Sequence, residues 1–181
     1  MSVPQEIDYS ALQESGLKLP RFFSSWISAA KTRIDPYYLE NEKLVVWRFF
    51  PGDEAEGPPG YCHGGFLATL LDECMGSCGI WEGLYLMAIN LEVSFKKAVE
   101  KGSIMFCVCR LTSHKSRKVS AEGWITDESQ KVYVFARGSY LSVDTAILKE
   151  TPSGILAFER YRHLRSEGKS LKEALDILQS E

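Results

Sequence analysis

The sequence predicts an α+β domain in which an antiparallel sheet wraps around one buried helix, with further helices at both ends. Residues 63–80 are apolar on almost every side, which is typical of a helix inside a core. Four stretches with strand character follow that helix, and the short connections between them favour antiparallel neighbours. A chain of 181 residues is long enough to bury one substantial core.

Residues 1–42 are predicted to form a helical N-terminal segment. Between residues 7 and 34, apolar side chains recur at helical spacing, namely Phe22, Phe23, Trp26, Ile27 and Ala30, and Pro20 suits a first helical turn. Such a helix would either pack against the core or cover a site as a lid. We favour packing, since an apolar helix face is normally buried against its own domain.

Residues 43–145 are predicted to form the central domain. Its first strand is Leu44–Phe50, rich in Val, Trp and Phe, and a loop dense in Pro and Gly follows at 51–60. Beyond the helix we expect strands at 84–96, 103–111, 118–126 and 131–143. Apolar and polar residues alternate in the first of these, which predicts one buried face.

Residues 146–181 are predicted to be a C-terminal helical extension. Ser170 and Glu173 have the spacing of a capping box, and leucines follow at helical intervals.

Composition excludes several classes of protein. A net charge of −3 gives no broad attraction to nucleic acid or anionic membranes. The longest apolar runs are far shorter than the roughly 20 residues that span a bilayer, and the first basic residue is Lys18, unlike the start of a signal or transit peptide. The five cysteines are an odd number and argue against a disulfide framework. We therefore expect a reduced, cytoplasmic protein.

The head of the predicted helix carries the first chemical signal, His63-Gly64-Gly65. Glycine at a helical position costs roughly 1 kcal/mol relative to alanine, but it lets a ligand approach the backbone closely. The first N–H groups of a helix have no intrahelical acceptor, and the helix dipole favours negative charge there. Gly64, with Gly65 as a second donor, is therefore a candidate site for stabilising a carbonyl oxygen that becomes negative during attack.

Asp72 is the second signal, because a carboxylate in an apolar helix needs a partner or a solvated cleft. In acyl transfer it could activate a water molecule, or attack a thioester directly and form an anhydride. In the alternative interpretation, Asp72 is an exposed or hydrogen-bonded helix residue and the glycines only shape a turn. The pattern by itself leaves both open.

Two other sites are disfavoured. Cys62 and His63 are adjacent, a poor arrangement for a nucleophile and its base, and no Gly-x-Ser-x-Gly elbow occurs. We expect His63 to hold the loop by hydrogen bonds instead. The remaining cysteines, Cys74, Cys78, Cys107 and Cys109, form no Cys-x-x-Cys pair and are interpreted as buried apolar residues, so no metal is expected.

Residues 56–66, with Asp72 nine positions after His63, resemble the hotdog-fold acyl-CoA thioesterases. Within them the sequence is most similar to the group that contains phenylacetate-pathway-type thioesterases and the carboxyl-terminal modulator protein. The strand that begins at Asn90 resembles the family's strand after the helix, and the resemblance covers residues 44–143. It implies a hotdog fold and hydrolysis of acyl-CoA to a free acid and coenzyme A, with no cofactor beyond the coenzyme A of the substrate. It also implies a homodimer, often paired into a homotetramer, with each site at a subunit interface.

The resemblance assigns roles to individual residues. The N–H of Gly64 would polarise the thioester carbonyl, and Asp72 of the partner subunit would act as nucleophile or general base. The cationic turn at residues 114–118 is, by its charge alone, typical of a solvated hairpin. In the family it resembles a region that meets the phosphates of coenzyme A, where Arg117, Lys118 and Ser116 are the candidates.

Asn90 is a further candidate for substrate binding. Two positions depart from the family. Gly57 stands where many relatives carry Asn or Gln, and Ala88 stands where they often carry Ser or Thr.

Two other functions of proteins with this fold are alternatives to thioester hydrolysis. A hydratase or dehydratase would need a His paired with an acid for proton transfer at carbon, and the Asp-x-Asn-Pro-x-His pattern is absent. A non-catalytic acyl-CoA-binding or regulatory protein would fit the loss of the polar groups at Gly57 and Ala88.

Overall fold

A computed structural model describes residues 3, 7–12, 17–18, 32–147 and 153–180. The described strands are β1 (Leu17–Lys18), β2 (Arg33–Leu39), β3 (Leu44–Phe50), β4 (Tyr85–Phe95), β5 (Met105–Lys115), β6 (Lys118–Thr126) and β7 (Val132–Val143). The described α-helices are α1 (Gly64–Trp81), α2 (Ser153–Ser166) and α3 (Leu171–Ser180). Short 3-10 turns lie at Tyr9–Ala11, Asp53–Ala55 and Thr145–Ile147.

The strands form one sheet in the order β1-β2-β3-β5-β6-β7-β4, and every neighbouring pair is antiparallel. Helix α1 packs against one face, where Leu70, Leu71 and Met75 are almost completely buried. The predicted α+β architecture, an antiparallel sheet around a central helix, is confirmed. Among the described residues, no helix combines the length and apolar character that crossing a bilayer requires.

The helical prediction for segment 1–42 is wrong for Leu17–Lys18 and Arg33–Leu39, which form the paired strands β1 and β2. All seven residues of β2 pair with β3, and Tyr37 and Tyr38 are buried. Residues 33–39 therefore take their strand structure from long-range pairing with β3. Pro20 and the apolar residues from Phe22 to Ala30 lie outside the described residues.

Strand β4 forms an edge of the sheet, since its pairing partner is β7 alone among the described strands. A bulge shifts the register between Ala88 and Asn90 and leaves Ile89 without a counterpart. Leu91 and Val93 pack against the core, but Met87 and Ile89 are about half exposed, at 49% and 53%. The single buried face predicted for this strand is therefore interrupted by the bulge.

The sequence predicted that helix α1 is buried on almost every side. In the structure, one stripe of the helix stays open. The residues of this stripe are partly or fully exposed and recur every three or four positions along the helix: Gly65, Ala68, Thr69, Asp72, Glu73, Gly76, Ser77 and Ile80. Most of them are small. We call this set the open stripe of α1.

The termini cover other parts of the sheet and helix. Tyr9 stacks on Phe106 of β5 with ring centroids 3.8 Å apart, so Tyr9 and its neighbours Ile7 and Leu12 pack on the sheet face opposite α1. At the far end of α1, Tyr161 of α2 donates a hydrogen bond to the Trp81 carbonyl oxygen, at 3.1 Å. The capping box predicted at Ser170 is confirmed, because the Glu173 N–H donates to Ser170 Oγ and the Ser170 N–H donates to Glu173.

Candidate active site

The loop before α1 is held in one shape by a tight turn. Residues 58–61 form a type II turn in which the Tyr61 N–H donates to the Pro58 carbonyl oxygen at 2.9 Å. Gly60 has φ of +82°, a conformation that glycine adopts without strain. Lys101 then pairs with Asp53 at 2.7 Å and with Glu56 at 3.2 Å, which ties the loop to the segment after β4.

His63 is the N-cap of α1. Its Nδ1 accepts a hydrogen bond from the Gly65 N–H at 2.9 Å, and its own N–H donates to the Ala55 carbonyl oxygen at 2.7 Å. The histidine therefore holds the loop, in line with the sequence prediction. The Gly65 N–H is already engaged, so Gly64 carries the N–H that can serve a ligand.

Gly64 is the first residue of α1, and its N–H has no acceptor within the helix. The part of the chain that the structure describes offers it no other acceptor. A Cβ on Gly64 would lie 3.3 Å from Cζ of Phe95, a ring that is itself 53% exposed. The N–H therefore stands at an open, partly apolar end of the helix, where a carbonyl oxygen can approach it.

Cys62 is a poor nucleophile in this setting. Burial raises the pKa of its thiol to about 11, and Nδ1 of the neighbouring His63 is occupied by Gly65. The structure thus agrees with the sequence analysis in giving no Cys-His pair here.

Asp72 lies on the open stripe and is partly exposed. The Tyr140 hydroxyl, from β7, donates a hydrogen bond to Asp72 Oδ1 at 2.9 Å and lies 3.4 Å from the Asp72 carbonyl oxygen. Burial and the nearby Asp72 carboxylate both raise the pKa of Tyr140, so its hydroxyl stays protonated and remains a donor. The carboxylate thus has a partner, while the other oxygen is left for a ligand.

Gly64 and Asp72 do not meet within one chain. Eight residues of helix separate them, a rise of about 12 Å. A thioester carbonyl cannot contact both the N–H and the carboxylate of the same subunit over that distance.

The cationic turn lies at the Asp72 end of the sheet and is exposed. Lys118 pairs with Leu141, next to Tyr140, and Arg117 Nε donates to the Ser142 carbonyl oxygen at 3.3 Å. The turn is far from the helix N-terminus. Phe95, which lies against Gly64, pairs with Val134 of β7. Val134 comes seven residues before Leu141, the partner of Lys118, and seven residues of strand span about 23 Å.

Asn90 is not brought to either group. It pairs with Ser139, and its neighbours Leu91 and Tyr140 face the helix, so Asn90 points to the opposite face of the sheet. Ser116, which has φ of +55°, lies at the exposed tip of the cationic turn.

The two departures from the family have distinct surroundings. A Cβ on Gly57 would lie 2.8 Å from the His63 Cα, so the loop leaves no room for a side chain there. Ala88 pairs directly with Tyr140 across β4 and β7. Sequence reasoning missed Tyr140 because no motif contains it, and its alternating position in β7 predicts only a core residue.

Three of the buried cysteines form a cluster. The sulfur atoms of Cys74, Cys107 and Cys109 lie within 4.8 Å of one another, close enough to hold one metal ion. All three are completely buried, and the Cys74 and Cys107 thiols lie near the carbonyl oxygens of Cys107 and Leu70. Burial raises the pKa of the Cys74 and Cys109 thiols, which favours the protonated form of these two. Burial by itself would also raise the pKa of Cys107, but hydrogen bonds with Cys109 and Cys74 outweigh it and lower that pKa.

Comparison with known proteins identifies proteins that are similar to this chain. Residues 59–134 match the family model described as the thioesterase superfamily. The chain is 29% identical over 133 residues to acyl-coenzyme A thioesterase THEM4 of Mus musculus, covering 73% of this chain and 57% of that protein. It is 32% identical over 83 residues to THEM4 of Xenopus laevis, covering 46% of this chain and 37% of that protein.

The fold also matches the structure of the E. coli PaaI protein from the phenylacetic acid degradation operon. The TM-score is 0.58 at 16% identity, over 76% of this chain and 91% of that one. The resemblance to the hotdog thioesterase group that the sequence predicts is thereby confirmed. The chain spans about half the length of the curated relatives, 57% and 37% for the two named above.

Proposed function

We propose, from the thioesterase-superfamily match over residues 59–134, that this chain hydrolyses an acyl-CoA thioester to a free acid and coenzyme A. The observation that carries the proposal is that helix α1 contains both an N–H without an acceptor, at its head, and a partly exposed carboxylate in a fixed orientation, at its middle. These are the two groups that acyl transfer needs, a donor for the developing oxyanion and a base or nucleophile.

The active unit in this proposal is a homodimer. Gly64 and Asp72 lie about 12 Å apart along one helix, so each site needs Gly64 from one chain and Asp72 from the other. Two features support such pairing. The open stripe of α1 is rich in small residues, and the edge strand β4 leaves apolar side chains such as Met87 and Ile89 exposed.

A two-fold axis would satisfy both features together. With the axis perpendicular to α1 and close to residue 68, the two copies of α1 run antiparallel and Gly64 of each helix lies opposite Asp72 of the other. A second copy of β4 can then pair along the free edge and cover its exposed apolar residues. Pairing of two such dimers into a tetramer is a further part of the proposal.

The reaction follows from these positions. With the carbonyl oxygen hydrogen-bonded to the Gly64 N–H, a water molecule attacks the carbonyl carbon as Asp72 of the partner subunit takes its proton. The resulting oxyanion is stabilised by the N–H and the helix dipole. The carbon–sulfur bond then breaks, the sulfur takes up a proton, and the acid and the thiol of coenzyme A are released. In the alternative route, the Asp72 carboxylate attacks the carbon itself and the carbon–sulfur bond breaks, which gives a mixed anhydride and a coenzyme A thiolate that takes up a proton from water. A water molecule then hydrolyses the anhydride, which releases the acid and restores the Asp72 carboxylate.

The exposed cationic turn is proposed to bind the phosphates of coenzyme A. Arg117 and Lys118 supply the charges and Ser116 a hydroxyl. No cofactor beyond the substrate's own coenzyme A enters the proposal. The five cysteines are all unpaired, which supports a cytoplasmic, reducing location.

The proposal is tested by Asp72→Asn. This change keeps the size of the side chain and its hydrogen-bond acceptor but removes its basicity, so we expect kcat on a panel of acyl-CoA substrates to fall about 100-fold or more. Circular dichroism and size-exclusion chromatography serve as controls for fold and assembly. Unchanged turnover would remove Asp72 from the mechanism.

The wild-type protein decides between catalysis and binding alone. Turnover of at least one acyl-CoA supports the enzyme. Tight binding of coenzyme A with no turnover of any chain length would instead favour a non-catalytic binding protein, which the missing side chain at Gly57 and the apolar Ala88 would fit.

A further inference from the structure

We propose that Tyr140 is the positioning residue for Asp72, holding one oxygen of the carboxylate so that the other is presented to the substrate. This inference rests on the proposed function of Asp72. It concerns a residue 68 positions away in the chain, on the strand that packs beneath the helix.

The contact is built into the core rather than formed at the surface. Tyr140 is 2% exposed, and its hydroxyl reaches out of the core to Asp72 Oδ1 at 2.9 Å. Ala88, directly opposite on β4, brings no polar atom to this place. At this position of β4 and β7, the Tyr140 hydroxyl is therefore the polar group that contacts the Asp72 carboxylate.

Gly138 makes this placement of the ring possible. A Cβ at position 138 would lie 2.3 Å from Tyr140 Cε2 and 2.8 Å from its hydroxyl oxygen. The aromatic ring thus lies along its own strand, directly over the residue two positions before it. Any larger residue at 138 would have to push the ring away, so two residues together set the position of the hydroxyl.

A carboxylate held in the productive orientation reacts faster than one that samples several orientations. The side chain of an aspartate on an open helix face can adopt several rotamers. Anchoring Oδ1 selects one of them and leaves Oδ2 as the oxygen that meets the substrate in the proposed dimer. Reacting groups that are misplaced by about 1 Å can lose about 100-fold in rate, so such anchoring has a measurable effect.

The test compares Tyr140→Phe with Tyr161→Phe. Each change removes one buried hydroxyl that donates to helix α1, but Tyr161 donates to the Trp81 carbonyl oxygen at the far end. We expect Tyr140→Phe to lower kcat about 10- to 100-fold with KM changed by less than about twofold. Tyr161→Phe should leave kcat near the wild-type value, even if both variants lower the melting temperature equally.

A second comparison asks whether Tyr140 acts through Asp72. In the Asp72→Asn background, adding Tyr140→Phe should cause no further loss of kcat, because the group that it positions is already inactive. Gly138→Ala should lower kcat as Tyr140→Phe does, since it displaces the ring while keeping the hydroxyl.

The outcomes separate this inference from the proposed function. If Asp72→Asn abolishes turnover but Tyr140→Phe leaves kcat unchanged, the positioning role is wrong and the function stands. A loss from Tyr140→Phe that persists in full in the Asp72→Asn background also overturns it. If Asp72→Asn itself retains full turnover, the proposed function of Asp72 fails first.

Discussion

The two halves of the candidate site are built in different ways. At the head of α1, the cap joins His63 to Gly65, two residues apart, and the loop is fastened to Ala55, eight residues away. At the middle of the same helix, Asp72 is held by Tyr140, 68 residues away on β7. We refer to them as the cap half and the acid half.

This difference separates what local sequence controls from what the sheet controls. The cap half depends on a short loop and on backbone N–H groups, so it is sensitive to changes that remove a donor. The acid half depends on the register of β7 beneath α1, so it is sensitive to changes in packing. The cationic turn belongs with the acid half, because Lys118 pairs beside Tyr140.

Gly64→Pro should have the largest effect, because it removes the proposed oxyanion donor itself. Proline is well tolerated at the first helical position, and His63, at φ −67° and ψ 135°, already has the extended backbone that precedes proline. We expect kcat to fall about 100- to 1000-fold, measured by steady-state hydrolysis with the melting temperature as a control for folding.

Gly64→Ala is the matched variant for this measurement. It adds a Cβ in the same place, 3.3 Å from Phe95 Cζ, but it keeps the N–H. Its loss in kcat should be at least about tenfold smaller than that of the proline variant. Equal losses would show that crowding against Phe95, and not the missing donor, accounts for the effect.

Mixing the two halves tests whether they come from different chains. Co-expressed Gly64→Pro and Asp72→Asn subunits should form mixed dimers in which one of the two sites is intact. Because half of the dimers are mixed at random pairing, we expect about a quarter of wild-type turnover to return. No recovery, in a sample shown by mass spectrometry to contain mixed dimers, would contradict a site shared between subunits.

Lys118→Ala probes the acid half at its surface. Removal of one cationic contact to a phosphate should raise KM for acyl-CoA about three- to tenfold, with kcat near the wild-type value. Lys172→Ala changes another exposed lysine, on α3, and should leave KM unchanged. A Lys118 variant with normal KM would show that the cationic turn is only solvated and does not bind the phosphates of coenzyme A.

His63→Ala should have the smallest effect and should act on stability. Loss of the N-cap acceptor leaves the Gly65 N–H without its partner, at a cost of about 1 kcal/mol in the free energy of unfolding. Urea denaturation measures this loss. His63→Asn, which preserves a cap acceptor, should recover most of it, and a variant that fails to do so would point to another role for the ring.

The sequence predicted the central elements closely. Leu44–Phe50 and Lys118–Thr126 begin and end where the pattern placed them, and α1 differs from the predicted helix by one residue at each end. Local signals decide these bounds, because β-branched and aromatic runs end at Gly, Pro and charged turns.

Other elements required contacts that no local pattern contains. Arg33–Leu39 became a strand because β3 was available to pair with it. The alternating residues of β4 did not share one buried face, because a bulge intervened at the edge of the sheet. The sequence did not predict the open stripe of α1, since small apolar residues occur both in a buried core and on a helix face that packs against no other element.

The amino-acid sequence by itself determined the cap half, because a histidine, two glycines and a turn with Gly60 build it through contacts across only a few residues. Tertiary structure alone decided the acid half. The partner of Asp72 depends on how β7 lies beneath α1, and the space for that partner depends on Gly138. A hydrogen bond between residues so far apart in the chain exists only after the sheet has closed around the helix.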